Sequence, residues 1–218
     1  MLIELLYVNN KSEISKELFN NILILLPENE QIKILKYKLW RDRQARTLGR
    51  FLIMDLLKNK NVFDKNISDL SYNNYGKPFF EGINFYFNIS HSGDYVVCAF
   101  CASESVGVDI EEMKEVNFED FDSILTIEEK RYIYLSKNKK ELFYNIWCAK
   151  EAALKADGRG LSIPLNEIDL NHGKVFVKGN IYYTKKIEIN KEYEFIVACS
   201  NEINEVVVNE FDLEKYLA

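Results

Sequence analysis

Tyr95-Val96-Val97-Cys98-Ala99-Phe100 is an unbroken apolar run, set between Gly93-Asp94 and Ser103-Glu104-Ser105. Six residues rich in β-branched and aromatic side chains between turn formers predict a buried strand. A near copy, Phe195-Ile196-Val197-Ala198-Cys199-Ser200, lies 100 positions further on. Each run follows a helical pattern by about fifty residues, the first after a stretch around Arg46 and the second after one around Lys150. Ala45, Leu48, Leu52 and Leu56 recur at helical spacing in the first stretch, and Ala, Leu, Glu and Lys dominate the second. The repetition predicts an α+β chain of two similar halves, each a helix packed on antiparallel strands, related by a pseudo-two-fold axis. The join falls near 103–106, giving subdomains 1–104 and 105–218.

Further strands are expected near 2–8, 84–89, 105–111, 174–178, 181–189 and 203–208. Helices are expected at 15–26, across 28–58 as one long helix or a pair, and at 117–124, 127–136 and 140–156. Asn73-Asn74-Tyr75-Gly76-Lys77-Pro78 has loop chemistry. With 47% apolar residues, 3 Pro and 9 Gly in 218, the chain is rich enough in core formers to exclude disorder. No apolar run approaches the ~18 residues of a membrane span. The opening Met1-Leu2-Ile3-Glu4-Leu5-Leu6 has no basic lead and carries an acid inside its apolar stretch, unlike a signal peptide. A cytoplasmic protein is therefore expected.

A net charge of −6 argues against nucleic acid as the main partner. The charge is uneven: residues 1–104 carry +1 and residues 105–218 carry −7. Cys98-Ala99-Phe100-Cys101 has the outline of half a zinc site, but Cys148 and Cys199 are isolated. The pair also lies in the buried strand, where residues three apart take opposite faces, so these cysteines read as core.

Four constellations carry chemistry. In Ser105-Val106-Gly107-Val108-Asp109-Ile110-Glu111, Asp109 and Glu111 share one strand face. About 6.5–7 Å apart, they repel by roughly 2–3 kcal/mol in a cleft, where a cation such as Mg²⁺ would relieve them; on an open edge water does the same. In Trp147-Cys148-Ala149-Lys150-Glu151-Ala152-Ala153-Leu154-Lys155, Trp147, Glu151 and Leu154 stack along one helix face with Lys155 a turn beyond Glu151. The plain reading is a surface Glu–Lys pair. Phe87-Asn88-Ile89-Ser90-His91-Ser92-Gly93-Asp94 runs a strand into a polar turn suited to phosphate, or to no more than a capped hairpin. The stretch from Lys33 to Arg50 holds seven basic residues against Asp42 alone, which fits either a bound anion or a solvated basic face.

Taken together, these pieces resemble the 4′-phosphopantetheinyl transferases of the surfactin-synthetase-activating type. The resemblance rests on Gly76-Lys77-Pro78, Phe87-Asn88-Ile89-Ser90-His91-Ser92, Gly107-Val108-Asp109-Ile110-Glu111 and the Trp147–Lys155 stretch. They stand in that order, with 20 positions from His91 to Glu111 and 40 from Glu111 to Glu151. The resemblance implies transfer of the phosphopantetheine arm of coenzyme A to a serine of an acyl or peptidyl carrier protein domain, with release of adenosine 3′,5′-bisphosphate. It implies Mg²⁺, replaceable by Mn²⁺, on Asp109, Glu111 and Glu151. Arg46, His91 and Lys33 would meet the 3′-phosphate, and the Gly76-Lys77-Pro78 loop the adenine. Ser90, Lys150 and Lys155 would lie along the phosphates, with Lys155 nearest the reacting one. Glu151 and Glu129 are the candidate proton acceptors, though Thr126-Ile127-Glu128-Glu129 also reads as a capping box. A monomer is expected. Two departures stand out: Cys148 follows Trp147 where Ser or Thr is common, and Glu30 stands where the family commonly has a second basic residue. A different Mg²⁺-dependent nucleotidyl-transfer enzyme is the alternative.

Overall fold

The computed structural model describes residues 1–217. Strand β1 (Leu2–Asn9) leads to helix α1 (Lys16–Leu23), whose first turn is capped by the Ser15 hydroxyl. The basic stretch forms two helices, α2 (Glu28–Leu35) and α3 (Trp40–Asn59). A short hairpin, β2 (Leu70–Tyr72) and β3 (Pro78–Phe80), brackets the Gly76-Lys77 loop. Strands β4 (Tyr86–Ser92), β5 (Tyr95–Cys101) and β6 (Val106–Glu112) follow, then helices α4 (Ile127–Leu135) and α5 (Lys139–Asp157). Gly158, left-handed at φ 86°, ends α5. The chain continues as β7 (Asp169–Asn171), β8 (Lys174–Val177), β9 (Asn180–Ile187), β10 (Tyr193–Cys199), β11 (Glu205–Glu210) and α6 (Leu213–Leu217). Among the described residues no helix is long and apolar enough to cross a membrane.

The helix expected over 117–124 is only a 3₁₀ turn at Phe118–Phe121. Asn117 caps it by accepting the Glu119 amide, while Phe118 and Phe121 pack on Phe143. The segment is held by its aromatic rings rather than by helical periodicity.

One sheet has the order β11-β1-β5-β4 and the other β6-β10-β9-β8-β7. Within them, β1-β5-β4 and β6-β10-β9 are the same arrangement, each with a long helix (α3 or α5) between its first and middle strand in sequence. The halves are thus two copies of one mixed α+β plan. By position in this plan Tyr95 matches Tyr193 and Cys101 matches Cys199, two residues out of step with the best letter-by-letter alignment. A shift of two leaves every side chain on its own face.

The layers explain why the central strands show no alternation. Val96, Cys98 and Phe100 of β5 face α3, while Val97, Ala99 and Cys101 meet the second sheet. Ile196 and Ala198 of β10 face α5, while Phe195, Val197 and Cys199 meet the first sheet. Both strands are covered on both faces. Cys98 and Cys101 accordingly point opposite ways, and burial pushes the Cys98 thiol up to about 12.

On β6, Val106, Val108 and Ile110 enter the core between the sheets, turning Gly107, Asp109 and Glu111 towards α5. A methyl group on Gly107 would overlap the Ala152 carbonyl and the Ala156 amide. Helix and strand therefore touch backbone to backbone here. This contact sets how closely the acids of β6 approach the side chains of α5.

Candidate active site

Strand β6 is an edge of its sheet, so its outer backbone groups need partners. Strand β4, the edge of the other sheet, supplies them from side chains. Asn88 Oδ1 accepts the Val108 amide at 3.0 Å, and Ser92 Oγ accepts the Glu112 amide at 3.2 Å. Asn88, Ser90 and Ser92 occupy alternate positions on one face, the signal by which sequence reading alone would have found this seam.

The acids of β6 meet α5 at this seam. Asp109 is only 4% exposed. Its Oδ1 accepts Lys155 Nζ at 2.6 Å and the Ser90 hydroxyl at 3.2 Å, and Lys155 also donates to Ser90 at 2.9 Å. Asp109 Oδ2 is buried without a hydrogen-bond partner. Glu111 accepts the Ser92 hydroxyl at 2.9 Å. Burial first, and Asp109 second, raise both Glu111 and Glu151 above the usual carboxylate range, despite Lys155. Burial alone would lower Lys155, but Asp109 and Glu151 outweigh it and hold the ammonium above its ordinary value. Asp109 pairs directly with the Lys155 ammonium, and Glu111 and Glu151 feel its charge.

A basic cleft lies on the other side of β4. A cavity of about 370 Å³ is lined by Lys33, Lys36, Arg46 and Arg50, with Tyr37, Tyr72 and Glu30. Arg46 stacks on Tyr37, 4.8 Å from the ring centre. His91 projects from β4 on the face opposite Ser90. Loss of water around it, then the nearby charges of Arg46 and Lys155, pull its imidazole below the usual value. His91 therefore feels cations on both sides of β4, Arg46 of the basic cleft and Lys155 of the seam, with Asp42 opposing them weakly. Glu30 was noted in the sequence only as a departure. It is a buried acceptor for Lys33 at 2.7 Å and Arg50 at 2.8 Å.

Lys150 and Glu129 are not brought to the Asp109 cluster. On a helical wheel Lys150 lies about 100° from Glu151 and about 140° from Lys155. Its ammonium is buried, 2.5 Å from Glu129 Oε2 and 3.0 Å from the Leu165 carbonyl. Glu129 also accepts the Thr126 amide at 2.8 Å while Thr126 Oγ1 accepts the Glu129 amide, a complete capping box. The expected approach of Lys150 to the phosphates is replaced by a buried pair joining α4 to α5. Lys77 is likewise occupied. It donates to the Ala156 carbonyl at 2.8 Å, the Val106 carbonyl at 3.3 Å and Ser105 Oγ at 3.1 Å. Burial lowers its pKa to about 8. Gly76 is exposed at the loop tip, and Pro78, half-buried, opens β3.

Among the described residues no three acidic, imidazole or thiol groups are drawn together as a finished metal cage. The donor set nevertheless fits a hard divalent cation: oxygen ligands, one of them a buried orphan, with more negative charge than Lys155 neutralises.

A group of acids beside a basic cleft, at the seam of a duplicated α+β fold, is the arrangement expected of an enzyme that transfers a group from a phosphate-bearing substrate. Residues 105–198 match the 4′-phosphopantetheinyl transferase superfamily, and residues 12–103 match the family described as 4′-phosphopantetheinyl transferase, N-terminal. The 4′-phosphopantetheinyl transferase gsp of Aneurinibacillus migulanus is 32% identical over 183 residues, covering 81% of this chain and 75% of that protein. The 4′-phosphopantetheinyl transferase Sfp of Bacillus subtilis (strain 168) is 28% identical over 199 residues, covering 86% and 88% respectively. An L-aminoadipate-semialdehyde dehydrogenase-phosphopantetheinyl transferase of Xenopus laevis is 31% identical over 185 residues, covering 77% and 61%. The chain belongs to the 4′-phosphopantetheinyl transferases, which move the phosphopantetheine arm of coenzyme A to a carrier-protein serine. The nucleotidyl-transfer alternative gives way to this assignment.

Proposed function

We propose that this transfer is Mg²⁺-dependent and runs in the cleft at the β4–β6 seam, between subdomains 1–104 and 105–218. The observation that carries the reading is the Asp109–Lys155 ion pair, with Glu111 and Glu151 close enough to feel both charges. These three acids would hold Mg²⁺, or Mn²⁺ in its place, against the coenzyme A pyrophosphate. When bound, the ion supplies positive charge where the leaving phosphate gathers negative charge.

The chain's own residues do the rest. Arg46, His91 and Lys33 bind the 3′-phosphate, the Gly76-Lys77-Pro78 loop flanks the adenine, and Ser90 lies near the pyrophosphate. The carrier serine oxygen forms a bond to the phosphorus that bears the pantetheine arm. The bond from that phosphorus to the bridging oxygen breaks, and adenosine 3′,5′-bisphosphate leaves with the electron pair. Lys155 stabilises the charge on the phosphate, as an ammonium held in place by Asp109 and Ser90 does well. The serine proton passes to Glu151, directly or through a water molecule. In this account Glu129 and Lys150 position α5 and take no part in proton transfer. Four free, buried thiols support a cytoplasmic setting.

The test is mass spectrometry of a carrier domain incubated with coenzyme A, Mg²⁺ and the enzyme. Asp109→Asn and Glu111→Gln should each remove almost all transfer while the far-ultraviolet circular dichroism spectrum stays unchanged. Calorimetry in the presence of coenzyme A should show Mn²⁺ binding lost in both. Near-normal transfer and Mn²⁺ binding in the two variants would remove the metal assignment.

A further inference from the structure

We infer that Glu30 is a specificity-determining residue, an internal carboxylate that competes with the 3′-phosphate of coenzyme A for Lys33 and Arg50. The enzyme should then distinguish coenzyme A from its 3′-dephospho form only weakly. The inference rests on the reading in which the cavity between α2 and α3 receives that phosphate.

Glu30 sits in the first turn of α2, where the helix dipole favours an acid. It is 4% exposed, and both carboxylate oxygens are used. Oε1 holds Lys33 Nζ at 2.7 Å and Oε2 holds Arg50 Nε at 2.8 Å. Arg50 is fixed again from its other end, donating to the Tyr72 hydroxyl at 3.1 Å. Burial alone would raise the proton affinity of Glu30, but Lys33 and Arg50 reverse that and keep it charged. Of the four cations lining the cavity, two are therefore already matched to an anion belonging to the chain.

An incoming phosphate finds Arg46 and Lys36 without a carboxylate partner among the described residues. It must take Lys33 and Arg50 from Glu30, or do without them. It also approaches a fixed negative charge in a small, partly dry space, where repulsion is poorly screened. A neutral amide at this position would keep the shape and remove the repulsion. One such charge is worth about a factor of ten in the preference for the phosphorylated ligand.

The experiment compares kcat/KM for coenzyme A and dephospho-coenzyme A with one carrier domain at fixed Mg²⁺. It is run for the wild-type chain, Glu30→Gln and Arg46→Gln, with melting curves for each. The wild-type preference for coenzyme A should be below about tenfold, and Glu30→Gln should raise it by about tenfold. Calorimetry should show the same gain for adenosine 3′,5′-bisphosphate over adenosine 5′-monophosphate. An unchanged or smaller preference in a folded Glu30→Gln variant overturns the inference. So does a wild-type preference above about a hundredfold, which is measurable even if the variant does not fold. Arg46→Gln tests the underlying reading separately. If it weakens both substrates equally, the cavity does not receive the 3′-phosphate. If it lowers the preference while Glu30→Gln leaves it unchanged, only the role of Glu30 fails.

Discussion

Replacing Glu129 by Gln separates a structural role from a catalytic one. The side chain does two jobs in the free enzyme: it completes the Thr126 capping box and it neutralises Lys150. Gln retains the first, because an amide oxygen also accepts the Thr126 amide. It loses the second, leaving a lysine with 2% side-chain exposure facing a neutral group and one carbonyl. Removing one member of a buried ion pair costs about 3–5 kcal/mol. An independent bound agrees. Lys150, already held below its usual value by burial, can shed its proton instead. Doing so from an ordinary lysine value costs about 1.4 kcal/mol per unit, or roughly 4–5 kcal/mol at pH 7. For a chain of this size 1 kcal/mol moves the melting point by about 2–4 °C, so Tm should fall by roughly 6–20 °C. Turnover, measured well below that Tm at saturating substrate, should stay within a few-fold of wild type. Adding Lys150→Met should recover much of the lost stability, because the orphan charge disappears. Scanning calorimetry and single-turnover transfer to a carrier domain provide the two readouts. A variant that melts normally but loses about 10²–10⁴-fold in turnover would refute the reasoning and make Glu129 the proton acceptor.

Two further outcomes follow from the packing around the seam. Gly107→Ala places a methyl group on the α5 backbone and should cost about 3 kcal/mol, with transfer falling more than stability because α5 carries Glu151 and Lys155; a variant with wild-type Tm and activity would show that helix and strand are not in backbone contact. Lys77, at about 8 when folded against 10.5 when unfolded, gives a stability that changes with pH. Between these values the unfolded chain binds the extra proton, so unfolding free energy should rise with pH by up to about 1.4 kcal/mol per unit. Urea unfolding from pH 8 to 9.5 should show this rise in the wild-type chain and not in Lys77→Met; equal slopes would contradict it.

The parts of the fold legible in the sequence are those held by dense local signals. Strands β5 and β10 read clearly because both faces are buried, and α5 because its residues favour helix on every side. Strands β2, β3 and β7 span three residues each, too few for any periodicity, and survive only by pairing with neighbours. The common strand face of Asp109 and Glu111 follows from alternation. That Lys155 reaches Asp109 does not, since it depends on Gly107 letting the helix backbone settle on the strand. The Glu129–Lys150 pair was hidden for another reason. The capping box is a local pattern, and it gives no hint that the same carboxylate meets a lysine 21 positions later. Glu30 was visible as an exception, but its two partners come from different helices and only the fold unites them.

Duplication explains why the cleft lies where it does. Each sheet ends in two edge strands, β11 and β4 in the first and β6 and β7 in the second; the fold sets β4 against β6, and an uncovered edge is costly. Full pairing of the two edges would have made a continuous sheet with no room for a ligand. Instead Asn88 and Ser92 satisfy β6 through side chains, which holds the edges together but a side chain apart. The seam joins the chemistry of both halves. Lys33, Arg46 and His91 come from the first, and Asp109, Glu111, Glu151 and Lys155 from the second. The split between a +1 half and a −7 half is therefore expressed at the seam, and it suits the proposed ligand, which carries phosphates at both ends of a nucleotide. Neither half alone offers both sets of residues, so the proposed site exists only while the β4–β6 seam is closed.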